Sequence, residues 1–392
     1  MKSTDTVIGG IFLAIVTAGV AGFTWLGTEL FDGGATNIAS ATPLAIPRAD
    51  HTAVLLEDGR VLVQGGGDGE TISYITAEIY DPATRTWSRA PNLGTARRDH
   101  RAIALPDGRV LATGGVDHYG VTVTAETVNP ITGEIGISSG MRSPRALHSL
   151  TPLADGRVFV SGGMSAVAPL RFTDLYDPET GRFKPGPDLN GARAWHTATR
   201  LSDARVLIAG GSGFGLARQS AEVFDPETET FEVTGDLEIG RFLHTATLVP
   251  DGRVIVIGGQ ETIEVYDSVE TYDPETGSWS AGASMPMPRA QHTATLLRDG
   301  RILVAGGFNA LGDIGDVSIY DPAKDRWTSV GTLDHPRGRH TATLLDDGSV
   351  LIVGGIDESG VVELAGVPRT EVDLFFPGGV PDDLRRAVAV AR

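Results

Sequence analysis

Seven times an arginine stands three residues before a histidine: Arg48 and His51, Arg97 and His100, Arg145 and His148, Arg193 and His196, Arg241 and His244, Arg289 and His292, Arg337 and His340. Those side chains could do chemistry, because a histidine can pass a proton or bind a metal and an arginine can grip an anion. Their spacing argues otherwise. The histidines are 49 residues apart once and 48 apart five times, a period that marks a repeat architecture. A residue present in every repeat obeys the symmetry of the array, whereas an asymmetric substrate needs a site that breaks it. Seven histidines spread around such an array do not converge on the compact ligand set a metal requires. The pairs are therefore read as structural, with no metal and no cofactor. Each arginine is expected to bridge to a carboxylate two residues before the Tyr-like position of its unit, at Glu78, Glu126, Asp174, Glu222, Glu270 and Asp373, with Ser318 breaking the series. Each histidine is expected to bond backbone at the mouth of its strand.

The elements that carry these residues follow from the rest of each unit. A run such as HTATLL, a turn such as RDGR and a run such as ILVA read as two antiparallel strands, the Asp-Gly predicting a tight type I′ turn. The pattern departs at Asp203-Ala204. A Gly pair follows, from Gly65-Gly66 to Gly354-Gly355, and then a third strand ending in Tyr-Asp-Pro or a variant. A fourth strand carries Trp87, Ile135, Phe183, Phe231, Trp279 or Trp327. Only six units have that strand; for the seventh, residues 37–44, NIASATPL, bring Ile38 to the matching offset. Four-stranded sheets with two apolar faces must stack to bury both, and a closed ring leaves no face open. The expected fold is all-β: a seven-bladed propeller over residues 35–378, four antiparallel strands per blade, the last blade completed by the N-terminal strand. Residues 379–392 form a tail long enough for a helical turn or two.

The Gly pair after the second strand, then a Tyr and a Trp about seven residues later, resembles the kelch motif. The wording RxxHTATLLPDGRVLVAGG is similar to bacterial kelch repeats related to the galactose oxidase propeller. Galactose oxidase chemistry uses copper and a tyrosine cross-linked to cysteine. This chain has no cysteine, so that activity is not expected. HExxH and GxxxxGK are missing too, and GGSGFG at 210–215 is not expected to be followed, in this fold, by the helix a dinucleotide loop needs.

An excess of 50 acidic over 32 basic residues, net −18, has the wrong sign for nucleic acid. Residues 7–26, VIGGIFLAIVTAGVAGFTWL, carry no charge and are long enough, as a helix, to cross a bilayer. Residues 1–33 are thus expected to be a membrane anchor, or a signal peptide cleaved near Gly19 and Ala21. Lys2 lies before the apolar run and Glu29 and Asp32 after it, so the propeller belongs outside the cytoplasm.

What varies between units is expected to bind. The connections from second to third strand carry His118, Tyr119, Phe214, Arg218, Phe308 and Asn309, and the longest one, in the last unit, carries Asp357 and Glu358. Between Arg and His, Trp195 and Arg339 stand out. The expected role is a non-catalytic protein- or carbohydrate-binding module of the cell envelope. Two alternatives remain open: a carbohydrate-active enzyme, as the resemblance to periplasmic kelch propellers that epimerise sialic acid implies, and a structural spacer without ligand.

Overall fold

The computed structural model describes residues 37–357, 367–381 and 384. Seven four-stranded antiparallel sheets stand around one axis. Blade 1 runs outward through Thr52–Leu55, Val61–Gln64, Ala77–Asp81 and Thr86–Ala90. The ring closes where Thr341–Leu344 of blade 7 lies beside Thr52–Leu55. Second strands such as VIVI at Val254–Ile257 are buried along their whole length, because each is covered by a neighbouring blade on both faces.

Apolar clusters straddle the blades. Val61, Val63 and Tyr80 of blade 1 pack with Leu345, Leu351 and Val353 of blade 7. Phe159 of blade 3 stacks on Phe224 of blade 4 with ring centroids 4.3 Å apart. Burying each such side chain is worth about 1.5–3 kcal/mol, so contact between blades dominates the stability. At the rim the third-strand aromatic meets its fourth-strand partner, as Tyr272 does Trp279 with centroids 5.0 Å apart.

Blade 7 is sewn from both ends of the folded region. Ile38–Ser40 pairs with Val372–Phe375, Ile38 opposite Phe375, the register that sets Trp87 opposite Tyr80 in blade 1. The pairing continues inward, with Ala41 N–H donating to the Val372 carbonyl and Leu44 N–H to Thr370.

The turn between first and second strands differs from expectation. Leu56 N–H donates to the Arg60 carbonyl, Gly59 N–H donates to Leu56, and Gly59, unlike Asp58, has positive φ. This is a three-residue loop closed by a left-handed glycine. The reason lies in Asp58, whose carboxylate accepts the Arg60 N–H (3.1 Å) and Nε (2.8 Å) and so fixes its own backbone. Ala204 takes the glycine's place in blade 4 at φ 72°. No helix among the described residues is long and apolar enough to cross a membrane; residues 7–26 lie outside those described.

Candidate functional site

The Arg and His of each repeat build the wall around the site. Arg48 is fully buried. Its Nη1 donates to the carbonyls of Gly65 (2.7 Å) and Thr76 (2.8 Å), and its Nη2 to Glu78 Oε1 (3.1 Å). Glu78 Oε2 accepts the Ala45 N–H from the segment entering blade 1, so one ion pair ties a blade to the linker that feeds it. The other expected carboxylates pair in the same way. Where Ser318 interrupts the series, Asp316, two residues earlier on the same face, accepts both Arg289 Nη2 (2.7 Å) and Ser318 Oγ (2.8 Å). Burial pulls the Arg145 guanidinium down to about 10, which leaves it charged at neutral pH.

The histidines reach a hydroxyl of the preceding blade through Nε2, a partner beyond the expected backbone one. His100 Nε2 meets Thr52 Oγ1 of the preceding blade at 3.0 Å, and His51 meets Thr341 at 2.9 Å across the closing seam. Burial first, then the nearby guanidinium of Arg48, push His51 down to about 3, so the ring is neutral. The Gly pair completes the joint. Both glycines have positive φ, and a Cβ on Gly65 would lie 2.6 Å from the Arg97 carbonyl and from the His100 ring. Only a bare backbone lets the next blade's histidine approach so closely.

Between these two fixed residues lies the part that varies. The residue before each histidine has φ between 52° and 57°, a left-handed kink that turns its side chain toward the axis. Backbone bonds step round the mouth from Asp99 to Asp50, Leu147 to Asp99, Trp195 to Leu147, Leu243 to Trp195, Gln291 to Leu243 and Arg339 to Gln291. At the last step Arg339 grips both carboxylate oxygens of Asp50, with Nε at 2.8 Å from Oδ1. The mouth therefore has two halves, with the polar Gln291 between Leu243 and Arg339. One is charged: Asp50, Asp99 and Arg339, with Arg98 beside Asp99 and Arg101 below. The other is apolar: Leu147, Trp195 and Leu243, with Phe242 5.9 Å from Trp195 between ring centroids.

Arg101 stands where other first strands begin with Thr or Ser. Its Nε donates to the His148 carbonyl at 3.0 Å. Its side chain keeps solvent-accessible surface. His148 turns to Thr113 instead. Burial, followed by the charge of Asp50, pushes Asp99 up to about 7 against the opposing pull of Arg339, Arg98 and Arg101.

Around the mouth rises a crown of hairpins joining second to third strands. Bridges such as Ala146 to Met164 and Ala194 to Ser212 root them on the axial segments, so mouth and hairpins share one face. Their tips expose Ile72, Tyr119, Val167, Phe214, Ile263 and Leu311, with Leu311 97% and Tyr119 94% accessible. The opposite face carries the Asp-Arg forks.

The family model of the KLHDC2/KLHL20/DRC7 Kelch-repeats domain matches residues 195–364, and that of the Kelch motif matches residues 47–94. The chain is a kelch-repeat propeller. A solved structure of a fungal alcohol oxidase of the AA5 family, in complex with copper, superposes with a TM-score of 0.71 at 18% identity, covering 87% of this chain and 75% of that one. No curated protein matches.

The kelch propeller does not gather the sequence-predicted site residues into one pocket. Trp195 lies in the apolar half of the mouth against Phe242, and Arg339 in the charged half on Asp50. His118, Tyr119 and Phe214 belong to the crown, His118 edge-on to Tyr119. Arg218 is turned down onto the Ala192 carbonyl at 2.8 Å, and Asn309 bonds Pro288 and the Leu311 N–H. Phe308 pairs with Asp313 at the base of its hairpin, and Asp357 with Arg369. Glu358 lies outside the described residues. Asp50, Asp99 and Arg101 were missed. The signal was present, since Asp50 and Asp99 occupy the position of Trp195 and Arg339, and HRA replaces HTA at Arg101.

Proposed function

We propose that this kelch propeller is a non-catalytic module that binds a protein partner through the face bearing the mouth and the crown. Kelch propellers are generally protein-binding modules. The observation that carries the reading is the contrast between faces. Six successive hairpins end in an exposed apolar side chain on one side, while the other side carries mostly carboxylates satisfied within their own turns, with Ile131 of blade 2 exposed among them. Exposed apolar groups that recur at one structural position mark an interaction surface.

In this proposal residues 7–26 hold the protein at a membrane with the propeller outside the cytoplasm. Strand Ile38–Ser40 begins opposite Phe375, at the turn face. Residues 27–37 span at most about 40 Å, so the tether draws the turn face toward the bilayer and presents the crown away from it.

Site-specific photo-crosslinking in cells tests the reading. A photoreactive residue at position 119, 167, 214 or 311 is expected to yield protein adducts, and one at position 58 or 203 to yield none. Adducts confined to the turn face, or none at any position, would overturn it.

A further inference from the structure

The crown is not uniform. Hairpins of blades 1, 2, 5 and 6 carry Asp68 and Glu70, Asp117, Glu261 and Glu264, and Asp313. Blades 3 and 4 break this pattern. From Met164 to Leu170 and from Ser212 to Ala217 there is no charged residue, and the tips expose Val167 (92%), Phe214 (74%) and Leu216 (67%). Of the cations that follow, Arg218 is folded away against Ala192 and Arg171, which stays exposed, is paired with Asp188 at 3.1 Å.

This sector adjoins the apolar half of the mouth. The bridges Ala146 to Met164 and Ala194 to Ser212 set the two hairpins beside Leu147 and Trp195, and Trp195 packs on Phe242. An apolar surface thus runs from the axis to the tips over two adjacent blades, where the sevenfold pattern would have supplied carboxylates. On one flank stands Asp117 and on the other the exposed Glu261 and Glu264. Two apolar hairpins between acidic ones are complementary to a segment with an apolar middle and cationic ends.

Resting on the proposed protein-binding role, we infer that the sector formed by blades 3 and 4 docks a short segment of the partner whose apolar residues lie on Val167, Phe214, Leu216 and Trp195 and whose flanking Lys or Arg residues meet Asp117, Glu261 and Glu264. Apolar contact supplies the affinity. The carboxylates set orientation and reject acidic segments.

Two synthetic 18-residue peptides serve as probes, sharing a Leu/Phe centre and flanked by lysines or by glutamates. Binding to the whole protein is followed by titration calorimetry at low and high salt. The lysine-flanked peptide is expected to bind at least tenfold tighter, with the advantage shrinking in salt. V167D and F214D should each weaken it at least tenfold, E261Q/E264Q should reduce the lysine preference, and L311D, outside the sector, should leave it unchanged. The inference is overturned if the lysine peptide does not bind, if the two peptides bind equally, or if L311D is as damaging as F214D. It is also overturned if zwitterionic vesicles bind in an F214D-sensitive way while the peptide does not. Crosslinks from position 311 as strong as those from 167 and 214 would remove the sector and leave the loop-face role standing.

Discussion

Within the four residues Arg193-Ala194-Trp195-His196 the molecule does two different jobs. The outer two recur in all seven blades and are buried in bonds to backbone, carboxylate and the neighbouring blade's hydroxyl. The residue just before the histidine differs from blade to blade: Asp50, Asp99, Leu147, Trp195, Leu243, Gln291 and Arg339 share one backbone conformation and have little else in common. The comparison teaches that symmetry separates holding from contacting at a spacing of one residue. The lattice keeps its identities because every joint meets the same geometry. The axial ring is free to vary because its side chains end in the mouth.

Acid should attack the lattice most. The seven histidines are neutral when folded, with His51, His244 and His340 at about 3 and the others well below their usual 6.5. The unfolded chain takes up those protons near 6.5. Their contribution is complete above that pH and is lost as pH falls below it, at about 1.4 kcal/mol per pH unit for each histidine. Seven together are enough to unfold a domain of ordinary stability near pH 5. Urea midpoints should fall steeply between pH 6.5 and 5, and His196→Gln should remove one proton from the slope. A flat profile would mean that the histidines are not held neutral.

Arg145→Ala should come next, losing about 3–5 kcal/mol because Asp174 is left buried without its cation. Gln291→Ala, two residues from an equivalent arginine, should cost no more than about 0.5 kcal/mol. Denaturant titration of both variants measures the contrast directly, and similar losses would erase the distinction between wall and mouth. The smallest effect is a gain. Ala204 sits at φ 72° where the six other blades use glycine at 80° to 91°, so Ala204→Gly should stabilise by about 1 kcal/mol, read as a raised Tm.

Most of the fold was legible because repetition averages over local noise. The seven Gly pairs and the lone missing strand together implied closure by residues 37–44, and Ile38 opposite Phe375 bears that out. The turn type was misread because Asp58 bonds Arg60 through its side chain, a local competition that the Asp-Gly pair alone does not reveal. The candidate site was half legible. Trp195 and Arg339 were conspicuous by size, whereas Asp50 and Asp99 look ordinary in a chain with 50 acidic residues. Only the left-handed kink and the ring of backbone bonds bring them to the same mouth. The contrast between the hairpins of blades 3 and 4 and the rest emerged once the structure aligned their tips.

The pairing of Ile38 with Phe375 also sets a timetable. At ordinary rates of synthesis the first strand waits on the order of half a minute for its partner to leave the ribosome. Until then blade 1 has no neighbour on one flank, and the early blades must persist with greasy surface uncovered. A chain interrupted before residue 372 would never be sealed, which makes the last strand the step that commits the whole molecule to its native state.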